Sequence, residues 1–375
     1  MNHPFDDVSE AALRVRQSAK WKVYPDDVLP LWVAEMDYPL ADPIKRVLHA
    51  AIDADDAGYA DPRGLGAAFA PWAKARWGWE VDPADVKVAP DVVTALTELL
   101  LVTTEPGDGV VIDPPVYMPF AWTIRRYGRT VVEAPIANGR LDLEAIARAY
   151  ASGAKVHVLC SPHNPSGTVH TRAELEAIAA LARAHDVLVV SDEIHAPLTH
   201  APHEHVPFPL VDPSVSVVLT SASKTFNLAG LKASVIVACH DRARAVVGRL
   251  PVELPYHAGH LGIVAARAAF EHGDPWLAET RRILDRNRAL LGELLGEHLP
   301  RVRYTPPAAG YLAWLDCRAL GLGADPAKVF LERARVALSP GPPFGTNGEG
   351  FARLNFATTR AILEEAVRRM AGATS

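Results

Sequence analysis

Between residues 110 and 238 the chain keeps switching between two hydrophobic periods, and that alternation leaves few folds open. Leu143, Ile146, Ala147 and Tyr150 recur at i, i+3, i+4 and i+7, one face of a helix, and the run Val156–Cys160 that follows is short, apolar and β-rich. Thr171 and Glu174 then form a T-x-x-E capping box ahead of Leu175, Ile178, Ala179 and Ala182 on a single face, before a strand-like run at 187–191. Further apolar runs at 110–112, 215–220 and 234–238 read as buried strands. Strands apolar on both faces and separated by helices specify an α/β chain with a mostly parallel sheet covered by helices.

Beyond residue 275 the character changes. A long Leu/Arg/Glu helix is predicted near 277–298, a strand near 311–315, and helices near 325–337 and 360–371, which together make a second, smaller α/β unit. The first forty-odd residues contain WVAEMDYPL, an apolar arm with little period, suited to packing on the smaller unit or on a partner subunit. The expected organisation is an N-terminal arm with part of the small domain over 1–45, a large domain over 46–276 and a small C-terminal domain over 277–375. The 31 prolines and 25 glycines are dispersed as punctuation, and no repeat or long linker stands out.

Charge excludes several classes of partner. Lys and Arg number 38 against 44 Asp and Glu, a net charge of -6 without blocks of one sign, so neither nucleic acid nor an anionic membrane is expected as a partner. MNHPFDDVSE lacks the basic and then apolar plan of a signal peptide, and no apolar stretch reaches the roughly 20 residues of a membrane span, so a cytoplasmic location is expected. Cys160, Cys239 and Cys317 lie far apart beside apolar residues and read as buried free thiols. His200, His203 and His205 offer superficial metal spacing, but in a Pro-rich loop without other ligands they read as solvated, and no metal is expected. GLGA at 321–324 lacks the full glycine pattern and the preceding strand of a dinucleotide site.

Three polar clusters each follow a predicted strand: SPHNPSGT after Val156–Cys160, SDEIH after 187–190, and SASKTFN after 215–220. Ligands of open α/β sheets bind beyond the carboxyl ends of the strands, so parallel strands would gather these clusters into one site. Residues 196–214, rich in Pro and His, carry no helical period, so that connection departs from an ordinary helical crossover. The gathered groups are a lysine among hydroxyls (Lys224), an acid (Asp192), an amide (Asn164) and an aromatic ring, Tyr117, after 110–112. They suit a flat phosphorylated aldehyde: an amine to bond it, a carboxylate to keep a pyridine nitrogen protonated, an amide for a phenolic oxygen, and a ring to stack. Pyridoxal 5′-phosphate has each of those features.

At this point the chain resembles the fold-type I, aspartate-aminotransferase-like pyridoxal phosphate enzymes, and within them the MalY/PatB branch of carbon–sulfur β-lyases. The likeness runs through LPLWVAEMDYPL, GYADPRG, APDVVTAL, DPPVYMPF, SPHNPSGT, SDEIH, SASKTFNLAGL and RLNF, in the family's order. It implies a seven-stranded, mostly parallel sheet in the large domain and pyridoxal phosphate as cofactor. Residue by residue, Lys224 would bond the cofactor aldehyde and move the substrate α-proton, Asp192 would hold the pyridine nitrogen, Asn164 would meet the ring hydroxyl oxygen, and Tyr117 would stack on the ring. Ser221 and the amides of Val92 and Val93, opening a helix over 93–102, would receive the phosphate. Lys232 stands where many relatives have arginine, and Asp91 where many have glycine. Tyr59 matches a tyrosine that reaches the phosphate of the neighbouring subunit, which implies a homodimer. Arg353 would take the substrate carboxylate by two parallel hydrogen bonds.

His195 separates branches of the family, since many aminotransferases place tyrosine there, whereas SDEIH is the lyase form; an imidazole can tune the cofactor or act on a leaving group. Pro197 replaces the usual Asp, and SAS precedes Lys224 where SPS is common. The expected activity is β-elimination from cystathionine or a cysteine S-conjugate, a small amino-acid substrate, with an aminotransferase and a non-catalytic binding protein on the same fold as the alternatives.

Overall fold

The computed structural model describes residues 5–374; the first four residues of the expected N-terminal arm and Ser375 lie outside them. Seven strands form the large sheet: β1 (Val86–Ala89), β2 (Gly109–Ile112), β3 (Thr130–Glu133), β4 (Val156–Cys160), β5 (Leu188–Asp192), β6 (Ser216–Thr220) and β7 (Ser234–Val237). Their order is β1-β7-β6-β5-β4-β2-β3. Only the pairings of β7, with β6 and with β1, are antiparallel. Every residue of β4, β5, β6 and β7 is buried, which is why these segments read as unbroken apolar runs. β3, by contrast, is an edge strand exposed at both ends, and β1 is half-buried over its first two residues. Neither has enough apolar length to stand out in the sequence.

The capping box is realised. Thr171 Oγ1 accepts the Glu174 amide at 3.3 Å while Glu174 Oε2 accepts the Thr171 amide at 2.7 Å, starting helix Arg172–His185. Between β5 and β6 no α-helix forms; single 3₁₀ turns at Ala196–Leu198, Phe208–Leu210 and Pro213–Val215 carry the chain across. His200 and His205 are buried rather than solvated, a correction with a clear reason. His200 Nε2 lies 2.7 Å from the Gly310 carbonyl and His205 Nε2 2.9 Å from the Glu193 carboxylate, so both imidazoles anchor this loop.

The smaller unit holds an antiparallel sheet of β8 (Arg303–Tyr304), β9 (Leu312–Asp316), β10 (Ser339–Pro340) and β11 (Phe351–Asn355), ordered β10-β11-β9-β8. Helices Asp274–His298 and Arg360–Gly372 pack on each other and share one apolar core with this sheet. Helices Asp42–Asp53 and Asp274–His298 run across residues 45/46 and 276/277, where the domain boundaries were expected. The helix expected over 325–337 is shorter: Pro326–Val329 widens over Phe330–Ala334, then Arg335 turns left-handed at φ 54°. Val336–Ala337 leaves the helix because it pairs in parallel with Leu29–Pro30, a tertiary contact that local period does not reveal.

That pairing docks the N-terminal arm on the smaller unit. Asn355 donates its amide to the Leu31 carbonyl and its side-chain Nδ2 to the carbonyls of Val33 and Glu35, at 2.8 and 2.7 Å. Within the arm Lys20 and Asp37, both fully buried, pair at 2.8 Å, and Trp21 Nε1 donates to Asp37 Oδ1. Deleting one member of such a pair leaves a buried uncompensated charge, at a cost of about 3–5 kcal/mol.

A clasp joins the two units. The amides of His200, Gly310 and Ala309 donate to the carbonyls of Ala308, Leu198 and Gly167. Gly167 adopts φ +68°, and a Cβ there would land on Pro307, whereas Gly139 adopts φ +75° with nothing within 4 Å of its would-be Cβ. Alanine at either position meets the roughly 1–2 kcal/mol penalty of a left-handed conformation. Gly167→Ala is therefore expected to lower the thermal midpoint clearly further than Gly139→Ala; equal midpoints in a melting experiment would dissolve the clasp as an element of stability.

Candidate active site

The register of the large sheet sets Cys160, Asp192 and Leu219 side by side at the ends of β4, β5 and β6. A cavity of about 410 Å³ opens there, and its walls include Lys224, Asp192, Asn164, Tyr117, His195, Ser221, Val92, Val93, Lys232 and Arg353. Ten of the eleven residues singled out from the sequence thus share one cavity. The eleventh, Tyr59, is 93 % exposed and lies outside it within a single chain.

Lys224 sits in the short helix Ala222–Thr225, capped by Ser221, whose Oγ accepts the Ser223 amide and donates to the Ala233 carbonyl. Lys224 Nζ donates to the Ala34 carbonyl at 2.9 Å, and Tyr311 OH donates to the same oxygen at 3.1 Å. Burial, reinforced by the nearby Arg353 charge, pulls the lysine down to about 8. Asp192 moves the opposite way: burial pushes its carboxyl up to about 7, with the Ile194 amide on Oδ1 at 3.1 Å opposing the rise. No cation pairs with it among the described residues.

Arg353, on β11, is buried and brought down to about 10 by that burial, so it stays charged near neutral pH. Nη1 donates to Asn164 Oδ1 at 3.0 Å, and Nη2 to Ser339 Oγ at 3.0 Å and the Trp32 carbonyl at 3.2 Å, while its face covers Phe344. Its Nε is buried with no partner, a donor left over for a ligand. His195 lies edge-on to Tyr311, its Nδ1 is buried and unpartnered, and burial together with Lys224 and Arg353 lowers it to about 3. The imidazole is therefore neutral at physiological pH.

At the opposite end the helix Val92–Thr103 points its first amides into the cavity wall. Asp91 does not obstruct them. Its Oδ1 caps the Thr94 amide at 2.8 Å and its Oδ2 takes Lys232 Nζ at 3.0 Å, so both oxygens are engaged. Thr94 and Ser223 also line this end and went unnoticed in the sequence; a threonine three residues after an N-cap was the available signal. The Ala34 carbonyl, a backbone atom, left none.

A buried carboxylate without a cation, an amine held near 8 and a helix N-terminus are the complements of a pyridinium, an aldehyde and a phosphate, so these residues fit pyridoxal phosphate. The model of the family described as aminotransferase class I and II matches residues 26–370. The chain belongs to that family. The Mycobacterium leprae protein named "Putative cystathionine beta-lyase" is 42% identical, covering 98% of each chain, and cystathionine beta-lyase PatB of Bacillus subtilis is 35% identical, covering 96% of this chain and 97% of its own. The solved PLP-bound C-S lyase of Staphylococcus hominis is 26% identical and superposes with a TM-score of 0.91 over 99% of both chains. This is the type I fold of the pyridoxal phosphate-dependent enzymes, and pyridoxal phosphate is its cofactor.

The lysine supplies a pH test. Its free amine, the form that attacks an aldehyde, predominates above about 8 instead of above the ordinary 10.5. The rate at which the cofactor-free chain captures pyridoxal phosphate, followed by absorbance, should rise with pH through an inflection near 8; an inflection near 10.5 would show that the amine is not desolvated.

Proposed function

We propose that this chain is a pyridoxal phosphate-dependent carbon–sulfur β-lyase that cleaves cystathionine or a related cysteine S-conjugate to pyruvate, ammonia and a thiol. The observation that carries the reading is the juxtaposition of Lys224, Asp192 and the open Nε of Arg353 in one cavity, in a chain whose relatives include proteins named cystathionine beta-lyase.

The cofactor, when bound, supplies an electron sink conjugated to the substrate α-carbon. The chain supplies the rest. Arg353 receives the substrate carboxylate, and Asn164, already held by Nη1, keeps the guanidinium in plane with it. Lys224, whose amine is half free near pH 8, takes the α-proton. Asp192 would keep the pyridine nitrogen protonated, and Tyr117, edge-on to Phe120 at 5.6 Å, would stack on the ring. As the α-proton leaves, the electron pair forms the Cα–Cβ double bond and the Cβ–S bond breaks, releasing thiolate. Neutral His195 serves as a hydrogen-bonding group beside that bond, since it is not an acid at working pH. The released enamine then takes up water, giving pyruvate and ammonia.

The branch point is product identity. With cystathionine or an S-alkyl cysteine and no added oxoacid, purified holoenzyme should release pyruvate and thiol in equal amounts; turnover only when an oxoacid is supplied would make it an aminotransferase. Arg353→Gln should lower kcat/KM by roughly one to two orders of magnitude, the worth of a charge-assisted pair of about 1.5–3 kcal/mol, mainly through KM. A fall confined to kcat would move Arg353 away from the carboxylate.

We also propose a homodimer in which Tyr59 serves the partner's site. Tyr59 is nearly bare, and Val252 and Tyr256 are likewise exposed at 81% and 53%, which suits a surface covered by a second copy. Lys224→Ala and Tyr59→Ala proteins, each impaired alone, should regain up to about a quarter of parental activity when mixed and re-equilibrated, because a two-fold hybrid holds one intact site. No gain on mixing, with hybrids shown to form, would confine the site to one chain.

A further inference from the structure

A second cleft, of about 320 Å³, opens behind the turn that follows β5, and shares no wall with the first cavity. Its walls include Arg76, Trp77, Pro197, His203, Glu204 and Arg281. The mechanism uses none of them, and Glu204 and His203 belong to the Pro- and His-rich loop that replaces a crossover helix.

Two guanidiniums face this cleft, and both are fixed. Arg76 stacks on the Trp72 ring with 4.5 Å from its carbon to the centroid, and its Nη2 donates to Asp274 at 2.5 Å. Arg281 Nη2 donates to the Thr199 carbonyl at 2.6 Å. Among the described residues Arg281 and Glu204 enter no ion pair, so once Asp274 has balanced Arg76 the cleft retains one free charge of each sign. A bare anion would satisfy Arg281 and the spare Arg76 donors but meet Glu204; a cation would meet the reverse.

The ligand that matches both is a zwitterion. We propose that this cleft is a second binding site, for a free α-amino acid, whose carboxylate lies on Arg281 and Arg76 and whose ammonium lies on Glu204. Trp77 and Pro197 give an apolar wall for the side chain, and the volume sits at the lower end of small-molecule pockets. The loop that carries Glu204 is anchored to the active-site strand, because its neighbour His205 pairs with Glu193, the residue after Asp192. The assignment holds whichever reaction the first cavity performs.

The test is calorimetric titration of holoenzyme reduced with sodium borohydride, so that no amino acid can condense with the cofactor, in an Arg353→Gln background that removes the carboxylate partner of the first cavity. L-Alanine should bind saturably at one site per chain, at least ~tenfold tighter than acetate or methylammonium, and Arg281→Gln and Glu204→Gln should each weaken it by ~tenfold, the equivalent of 1.4 kcal/mol. Glu204 is exposed, so its variant reports even where Arg281→Gln does not fold. Absence of saturable alanine binding, acetate binding as tightly as alanine, or variants that bind like the parent would each overturn the assignment.

Discussion

Three ionisable side chains, Lys224, Asp192 and Arg353, are buried in one cavity without any of them neutralising another directly. Desolvation disfavours the charged form of each, and the shifts run accordingly: the lysine and arginine down, the carboxyl up. Such an arrangement persists only where the surrounding chain over-determines it. The scaffold meets that demand with backbone atoms: the Ala34 carbonyl for Lys224, the Ile194 amide for Asp192 and the Trp32 carbonyl for Arg353. Two of these three come from the N-terminal arm, so the arm is part of the site's electrostatics as well as its wall.

The large sheet was legible because β4, β5, β6 and β7 are buried on both faces and carry nothing but the demand for apolar residues. The site was legible for a related reason: its side chains hang from strand ends, and strand ends fall at fixed places in the sequence. Residues outside that logic were not. β3 lies at an edge where burial exerts little selection, the helix over 326–334 yields to a pairing with residues three hundred positions away, and the Ala34 carbonyl has no side-chain signature. His200 and His205 show the same limit from another side, since composition says only that a histidine-rich loop is polar. Their burial follows from one carbonyl and one carboxylate supplied by other segments.

The active-site strand β5 emerges as a junction. Asp192 faces the cofactor cavity, Glu193 holds His205, His195 returns to the cavity, and Thr199 both pairs with Ala309 and holds Arg281. A perturbation of the loop after this strand therefore has physical routes to the small domain and to both clefts at once. This gives the departure from a helical crossover a mechanical meaning: a helix would have satisfied its own backbone and left fewer groups to bind elsewhere.

The docking of the arm has a further consequence during synthesis. Residues 29–37 find partners at 336–357, in segments about three hundred residues further along the chain. The Ala34 carbonyl that receives Lys224 therefore stays in water while the intervening segments emerge. The large sheet can form before those segments are made, yet Lys224 gains its resting partner only once the arm has docked on them, so the cavity is completed later than the sheet that carries it.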